Sequence, residues 1–307
     1  MEIRQLRYFI AAVEAGNLRA ASKSIHISHA ALSMSLKNLE EDVGVKLLDK
    51  GRSGVKMTPA GEKFLVAAHS LIRQINDLRA SLPGREDNPT GNVRFGLAYG
   101  LNNALAPCLF SFLSDHYPGI DLEIEEGNTT SLRRLFENDV IQLMIGYDVV
   151  EKMDQQCESL YVEQLYFVSP YDEALENETE IEFQKLANIP IVCSPGTNAM
   201  RTTLDKYSFD NDVPLHLLSD FQSAHASVKI TEAGMANTIS TWDEVFDCVS
   251  QKTLIARKIV NPVLERTVSL VSSLRSEPSF ATNAVIGVIK ECIQEAKDLD
   301  RLRGDLI

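Results

Sequence analysis

Ser33, Met34 and Lys37 fall on one side of the stretch "HISHAALSMSLKNLEEDVG", His26 to Gly44, with His29 and Ala30 at the start of the helix it should form. A hydroxyl, a thioether and an ammonium on one helical face suggest no bond-making chemistry. They can offer hydrogen bonds, an apolar contact and a positive charge to something large, such as the edges of base pairs. The other side carries Leu32, Leu36, Leu39 and Val43 at helical spacing, one buried stripe. The acidic run Glu40-Glu41-Asp42 comes only in the last turns.

The flanking segments position that face. "IRQLRYFIAAVEA" places Leu6, Phe9, Ile10 and Val13 together and predicts a first helix ending at Gly16. Asn17 is a good N-cap for a second helix, Leu18 to about Ile25, and Ser28 can cap the third. Two short helices joined by a tight turn, the second with an open polar face, make a helix-turn-helix, which presents that helix to the major groove. "VKLLDKGRSGVKMTPAG" then predicts two short strands around Gly51-Arg52-Ser53-Gly54, a wing whose Lys46, Lys50, Arg52 and Lys56 can meet backbone phosphates. Thr58 and Pro59 open a long helix in which Phe64, Ala68, Leu71, Ile75, Leu78 and Leu82 alternate at spacings of four and three, the repeat of a coiled-coil seam. "PGREDNPTG" ends it as a linker without an apolar residue. These segments predict a DNA-binding domain over 1–58, a dimerisation helix over 59–82 and a linker over 83–91.

Charge supports the division. The chain of 307 residues has a net charge of −13, but residues 1–91 carry +3 and residues 92–307 carry −16. No apolar run suits a membrane span, and no signal segment is evident. The five cysteines, Cys108, Cys157, Cys193, Cys248 and Cys292, are scattered and include no CxxC, which suggests a reduced, cytoplasmic protein. GxSxG, HExxH, GxxxxGK[ST] and a strand-borne GxGxxG are all missing, so no catalytic residue, metal or cofactor is expected.

Residues 1–90, and above all Leu6 to Gly61, resemble the DNA-binding end of LysR-type transcriptional regulators. The family pattern has Gln and a small residue or Pro where this chain has His29-Ala30, and Arg where it has Met34. These positions are expected to meet DNA, so the class carries over while the usual half-site preference is not assumed. The expected DNA-facing set is Arg4, Asn17, Arg19, Ser28, His29, Ala30, Ser33, Met34, Lys37, Lys50, Arg52 and Lys56.

Beyond the linker, "NVRFGLAY", "IDLEIEE" and "IQLMIGYD" predict strands separated by helices near 101–117 and 130–138, a βαβαβ order with a largely parallel sheet. "LYVEQLYFVSP", "IPIVCSP", "PLHLLSD" and "NTISTW" form a second set, with helices near 196–208 and 222–233. "ERTVSLVSS" returns as a strand before a last helix, about 279–299. Residues 92–307 are more weakly similar to the family's effector-binding domain, itself like periplasmic binding proteins. The resemblance implies two α/β lobes, about 92–160 with 265–307 and about 161–264, around a ligand cleft.

In the family, a Ser or Thr after the first strand and a Thr in the second turn commonly hold an effector carboxylate. Here those positions are Gly100 and Asn128, which favours a neutral or polyfunctional small molecule over a simple acid. The expected cleft set is Gly100, Leu101, Asn102, Asn128, Thr129, Tyr147, Ser194, Thr197, Gln222, Ser223, Thr241 and Trp242. His225 is expected to be solvated or satisfied in the core. Cys193 ends a cleft strand, and some regulators of this family sense redox through cysteines; with no second cysteine nearby in sequence, it reads as a plain buried thiol. The expected partners are double-stranded DNA, a small-molecule effector and further copies of the chain, as a dimer through the long helix and a tetramer through the effector domains. An enzyme or solute-binding protein built on the C-terminal fold, or a regulator without an effector, are the alternatives.

Overall fold

A computed structural model describes residues 1–51, 54–80, 88–196, 198–274 and 277–307, and divides the chain into two compact units: residues 1–86 with 135–141, and residues 87–134 with 142–307. Each is described separately.

The first unit begins with α1 (Ile3–Ala15), α2 (Leu18–Ser24) and α3 (His29–Val43). Gly16 ends α1 in the left-handed conformation, and the Asn17 side chain caps α2 by accepting from the amides of Arg19 and Ala20. Ser28 caps α3 by accepting from Ala31 N at 3.1 Å. Leu32, Leu36 and Leu39 join Phe9, Ala12 and Ala21 in the core. The predicted stripe ends one residue early: Val43, in the last turn, is 38% exposed.

Strands β1 (Leu48–Gly51) and β2 (Gly54–Met57) pair antiparallel as the wing. Glu40 anchors its entry, accepting from Leu47 N at 2.8 Å and Leu48 N at 2.9 Å. Val55 N donates to Gly16 O at 2.9 Å, and a Cβ at Gly54 would stand only 2.4 Å from that oxygen, so glycine is what lets the wing dock there. Helix α4 (Pro59–Ala80) follows, with Thr58 Oγ1 accepting from Gly61 N.

The second unit is built on one long mixed sheet. Strands β3 (Gly91–Ala98), β4 (Ile120–Gly127) and β5 (Leu143–Tyr147), linked by α5 (Asn102–His116) and α6 (Thr129–Glu137), give the expected parallel triad in the order β4-β3-β5. The next strand, β6 (Gln155–Pro170), starts five residues before the predicted one and passes through both lobes. After it come β7 (Glu180–Glu182), β8 (Pro190–Cys193), α7 (Ala199–Asp210), β9 (His216–Asp220), α8 (Ala224–Glu232), β10 (Asn237–Thr241), α9 (Trp242–Ser250) and β11 (Leu254–Val260). The chain returns through β12 (Glu265–Ser273), α10 (Phe280–Asp298) and β13 (Gly304–Leu306).

The first half of β6 pairs antiparallel with β12, which also pairs antiparallel with β5. Its second half pairs antiparallel with β10 and β11. The sheet is therefore parallel within each lobe's βα units and between β7 and β11, and antiparallel where β6 and β12 carry the chain between lobes. The helix α9 and strand β11 were not expected; Trp242, read as the end of a strand, is the first residue of α9.

Helices α5 and α10 pack together, and α10 lies on β3. Their contact corrects the reading of the cysteines as uniformly reduced: Cys108 on α5 and Cys292 on α10 form a disulfide, while Cys157, Cys193 and Cys248 are free. The pair lies 184 residues apart in sequence, so no local spacing could announce it. No helix among the described residues is long and apolar enough to cross a membrane.

Candidate nucleic-acid interface and ligand cleft

Helix α3 keeps its two sides distinct. Ser28, His29, Ala30, Met34 and Lys37 are exposed and Ser33 is half-buried, while the three core leucines are sealed. Met34 is 60% exposed, a large apolar side chain held in solvent by the same helical register that buries Leu32 and Leu36. Lys37 makes only an exposed i,i+4 ion pair with Glu41, at 3.4 Å, so its ammonium is free to be recruited elsewhere at little cost. Asn17 and Ser28 use their side-chain oxygens as caps. Arg19 and Lys56 are exposed, and Arg4 is exposed beside Glu2 at 2.5 Å. Arg52 and the Lys50 side chain lie outside the described residues.

The seam on α4 divides into two parts. Phe64 packs edge-on against Phe9 with ring centroids 5.1 Å apart, and Ala68 is fully buried, so these two serve their own unit rather than a partner. Leu71 and Leu78 are 39% and 64% exposed, and Ile75 is half-buried. Leu82 lies outside the described residues.

In the second unit a cavity of about 530 Å³ opens between the turn after β3 and the start of α8. Gly100, Asn102, Gln222 and Ser223 of the predicted set line it, joined by Tyr99, Glu126, His225 and Glu244. An adjoining recess of about 20 Å³, room for a single water, is lined by Asn128, Thr129, Tyr147, Ser194 and Gln222, with Glu244 and Arg266. Several of these groups already hold the fold. Asn128 Oδ1 accepts from Ser131 N at the start of α6, and Thr129 Oγ1 accepts from Tyr147 N at 3.0 Å. Ser223 caps α8. A third hollow of about 440 Å³ flanks Thr129 and Tyr147 on the side of Arg133 and Asp148.

Three predicted residues are placed elsewhere, and Thr241 among them is fully buried at the end of β10. Leu101 is fully buried ahead of α5. Trp242 packs with Tyr166 and Phe246 under the guanidinium of Arg303, its indole N–H donating to Asp300 O at 2.6 Å. A Trp beside a predicted cleft strand is as useful to the core as to a ligand, and here the core has it. Thr197 lies outside the described residues. Cys193 is buried with its thiol pushed up to about 11 by burial, the behaviour of an inert core cysteine.

The charges beneath the cleft were missed. Arg266 on β12 donates through Nε and Nη2 to Glu163 on β6, at 2.7 Å each, with side chains 2% and 3% exposed. Its guanidinium also lies 3.3 Å from the Tyr147 ring centroid. Burial drives Glu163 toward protonation, Arg266 pulls it back, and the arginine stays charged. An arginine next to the apolar and small-residue run "TVSLVSS" of this strand was the available signal. On α9, Asp243 is 4% exposed, its carboxylate oxygens lack hydrogen-bond partners, and burial followed by the neighbouring Glu244 pushes its carboxyl up to about 8.

A capped, solvent-open helix beside a basic hairpin, and a two-lobed α/β unit with a polar cleft, together define a DNA-binding protein with a ligand-binding domain. Comparison with known proteins gives that class its family. Residues 3–62 match the model of the bacterial regulatory helix-turn-helix protein, lysR family, and residues 86–293 match that of the LysR substrate binding domain. The chain belongs to the LysR family of transcriptional regulators, which join a DNA-binding helix-turn-helix to an effector-binding domain. It is 24% identical over 285 residues to the transcriptional dual regulator GltC of Bacillus subtilis, covering 92% of this chain and 94% of that one. In fold it is similar to a full-length OxyR variant from Pseudomonas aeruginosa, with a TM-score of 0.73, 21% identity and coverage of 96% and 98% of the two chains. It is also similar to full-length CbnR in complex with its target DNA, with a TM-score of 0.68, 19% identity and coverage of 96% and 100%.

Proposed function

We propose that the α3 face of Ser33, Met34 and Lys37 enters the major groove while Lys50, Arg52 and Lys56 of the wing, with Arg4 and Arg19, hold the phosphate backbone. The observation that carries this is Met34, 60% exposed on a helix whose other side buries Leu32, Leu36 and Leu39. A side chain so apolar, held in solvent at the centre of that face, suits contact with a thymine methyl. The division into a DNA-binding domain over 1–58, a dimerisation helix over 59–82, a linker over 83–91 and an effector domain over 92–307 follows from the same reading. Exposure of Leu71 and Leu78 supports pairing of two copies through the second half of α4, and pairing of the effector domains would carry the dimer to a tetramer. A small molecule in the cleft would bind one quaternary arrangement better than another and so bias transcription. The protein acts as a regulator rather than an enzyme, and in the cytoplasm, where its DNA is.

Selection of bound oligonucleotides with the wild-type protein and with Met34→Arg tests the recognition face. A changed preferred motif with affinity retained is the expected outcome; the same motif from both proteins would take Met34 off the DNA. Sedimentation of Leu71→Asp tests the seam. Loss of the dimer together with operator binding is expected, since the substitution places a charge in an apolar interface. A dimer that still binds a two-half-site operator normally would show that α4 does not pair the chains.

A further inference from the structure

The walls of the 530 Å³ cavity carry two carboxylates, Glu126 and Glu244, and among the described residues no lysine or arginine lines it. The guanidinium of Arg266 lines the inner recess, but Glu163 matches its charge at 2.7 Å. The unit around the cavity is itself strongly acidic. An anion placed there would face two acids with no free cation to hold it.

Three oxygens converge where Gly100 has no side chain. A Cβ at that position would stand 3.2 Å from Glu244 Oε1, 3.2 Å from Tyr147 Oη and 3.4 Å from Thr241 Oγ1. All three can accept. The Tyr147 hydroxyl gives its proton to Tyr99 O at 2.8 Å, which leaves lone pairs on the oxygen. Glu244 takes the Ser240 hydroxyl on Oε2, so Oε1 is the oxygen turned toward Gly100. Thr241 is fully buried, and its Oγ1 has no hydrogen-bond partner. An orphaned hydroxyl beneath an acid-walled cavity is a separate sign of a missing partner. Gly100 holds φ at +91°, a conformation that L side chains rarely adopt, and any side chain there would press on these three oxygens. Burial raises the Glu244 carboxyl above its ordinary range, Ser240 and Arg266 pull it back and Glu126 adds to the rise; a cation alongside would relieve the strain on the ionised form.

A protonated amine has the complementary inventory: one positive charge, up to three donors and no acceptor. We propose that the effector of this cleft carries a cationic amine, held beside Gly100 by Glu244 and Tyr147 above the buried Thr241 hydroxyl, with Glu126 supplying a second negative charge on the cavity wall. The proposal rests on the reading of the cleft as the ligand site. It also sharpens the expectation of a neutral or polyfunctional ligand into one that donates hydrogen bonds and bears positive charge.

The test uses the full-length protein, with 1,4-diaminobutane, glucosamine and lysinamide as amines, 1,4-butanediol and glucose as neutral counterparts, and succinate and benzoate as acids. Thermal shift and titration calorimetry are run at matched ionic strength. At least one amine should bind where the neutral compounds and acids do not. Glu244→Gln should weaken it by about tenfold or more, the scale of one charge-assisted hydrogen bond. Glu126→Gln, on an exposed strand position where folding is not at issue, should weaken it by a smaller factor. Ala224→Trp, which fills the cavity, should abolish binding. An acid or neutral compound that binds best, ignores Glu244→Gln and is lost in Ala224→Trp would overturn the amine proposal and leave the cleft as the ligand site. Binding untouched by Ala224→Trp would remove the cleft reading itself. Failure of all three amines to bind overturns the proposal.

Discussion

The recognition helix and the ligand cleft divide labour differently among their side chains. On α3, Leu32, Leu36 and Leu39 hold the fold, while Met34 and Lys37 touch nothing in the core. In the cleft, Tyr147, Thr129 and Arg266 line the cavities and also carry hydrogen bonds or charge that the sheet depends on. A helix can separate the two tasks because its faces point in opposite directions. A cleft between lobes cannot, since its walls are the ends of the strands that build them. Recognition of DNA should therefore evolve freely in this chain, while changes in the cleft should show in stability as well as in ligand binding.

The largest effect that could break this contrast lies at the buried pair. Arg266→Met leaves Glu163 uncompensated at 3% side-chain exposure and should cost about 3–5 kcal/mol in denaturant unfolding of the second unit. Adding Glu163→Met should recover much of that loss, because the unmatched charge goes with it. A single variant as stable as wild type would show that the cleft charges are dispensable to the fold. In the first unit, Leu32→Ala should cost about 3 kcal/mol and abolish DNA binding by unfolding the domain, as measured by circular dichroism and band shift.

Asp243 sharpens the comparison through pH. Its carboxyl titrates near 8 in the folded protein against an ordinary 3.8, so the folded state binds the proton more tightly than the unfolded chain. Its contribution to stability is complete below about pH 4 and is lost progressively as the pH rises to about 8. Asp243→Asn should remove that decline and melt roughly 5 °C or more above wild type at pH 9, with little difference at pH 4. Melting curves that stay parallel across this range would show that the group is ionised throughout. The smallest effect is expected at Met34→Arg, which should leave stability within about 0.5 kcal/mol of wild type even as it changes the DNA motif.

What was legible follows the same division. The caps Asn17 and Ser28, the wing and the leucines of α3 were readable because helix periodicity and capping are set by neighbours within four residues. The seam on α4 was readable as a repeat, but not in its use: a local pattern cannot tell that Phe64 meets Phe9 while Leu71 faces outward. The cleft was half readable. Gly100, Asn102, Asn128 and Gln222 followed from where strands end, whereas Leu101 and Trp242, in the same stretches, turned into the core.

Composition and pattern alone determined that this chain carries a winged helix-turn-helix, a long amphipathic helix and an α/β unit of opposite charge balance, because each is written in short-range periodicity. Only the tertiary structure decided which residues meet across the sheet. Glu163 finds Arg266 103 residues away, Cys108 finds Cys292 184 residues away, and the oxygens of Tyr147, Thr241 and Glu244 gather at Gly100. Such contacts depend on how strands order themselves and how a crossing strand is shared between lobes. Strand order is settled by packing both faces of the sheet at once, so no window of sequence contains it.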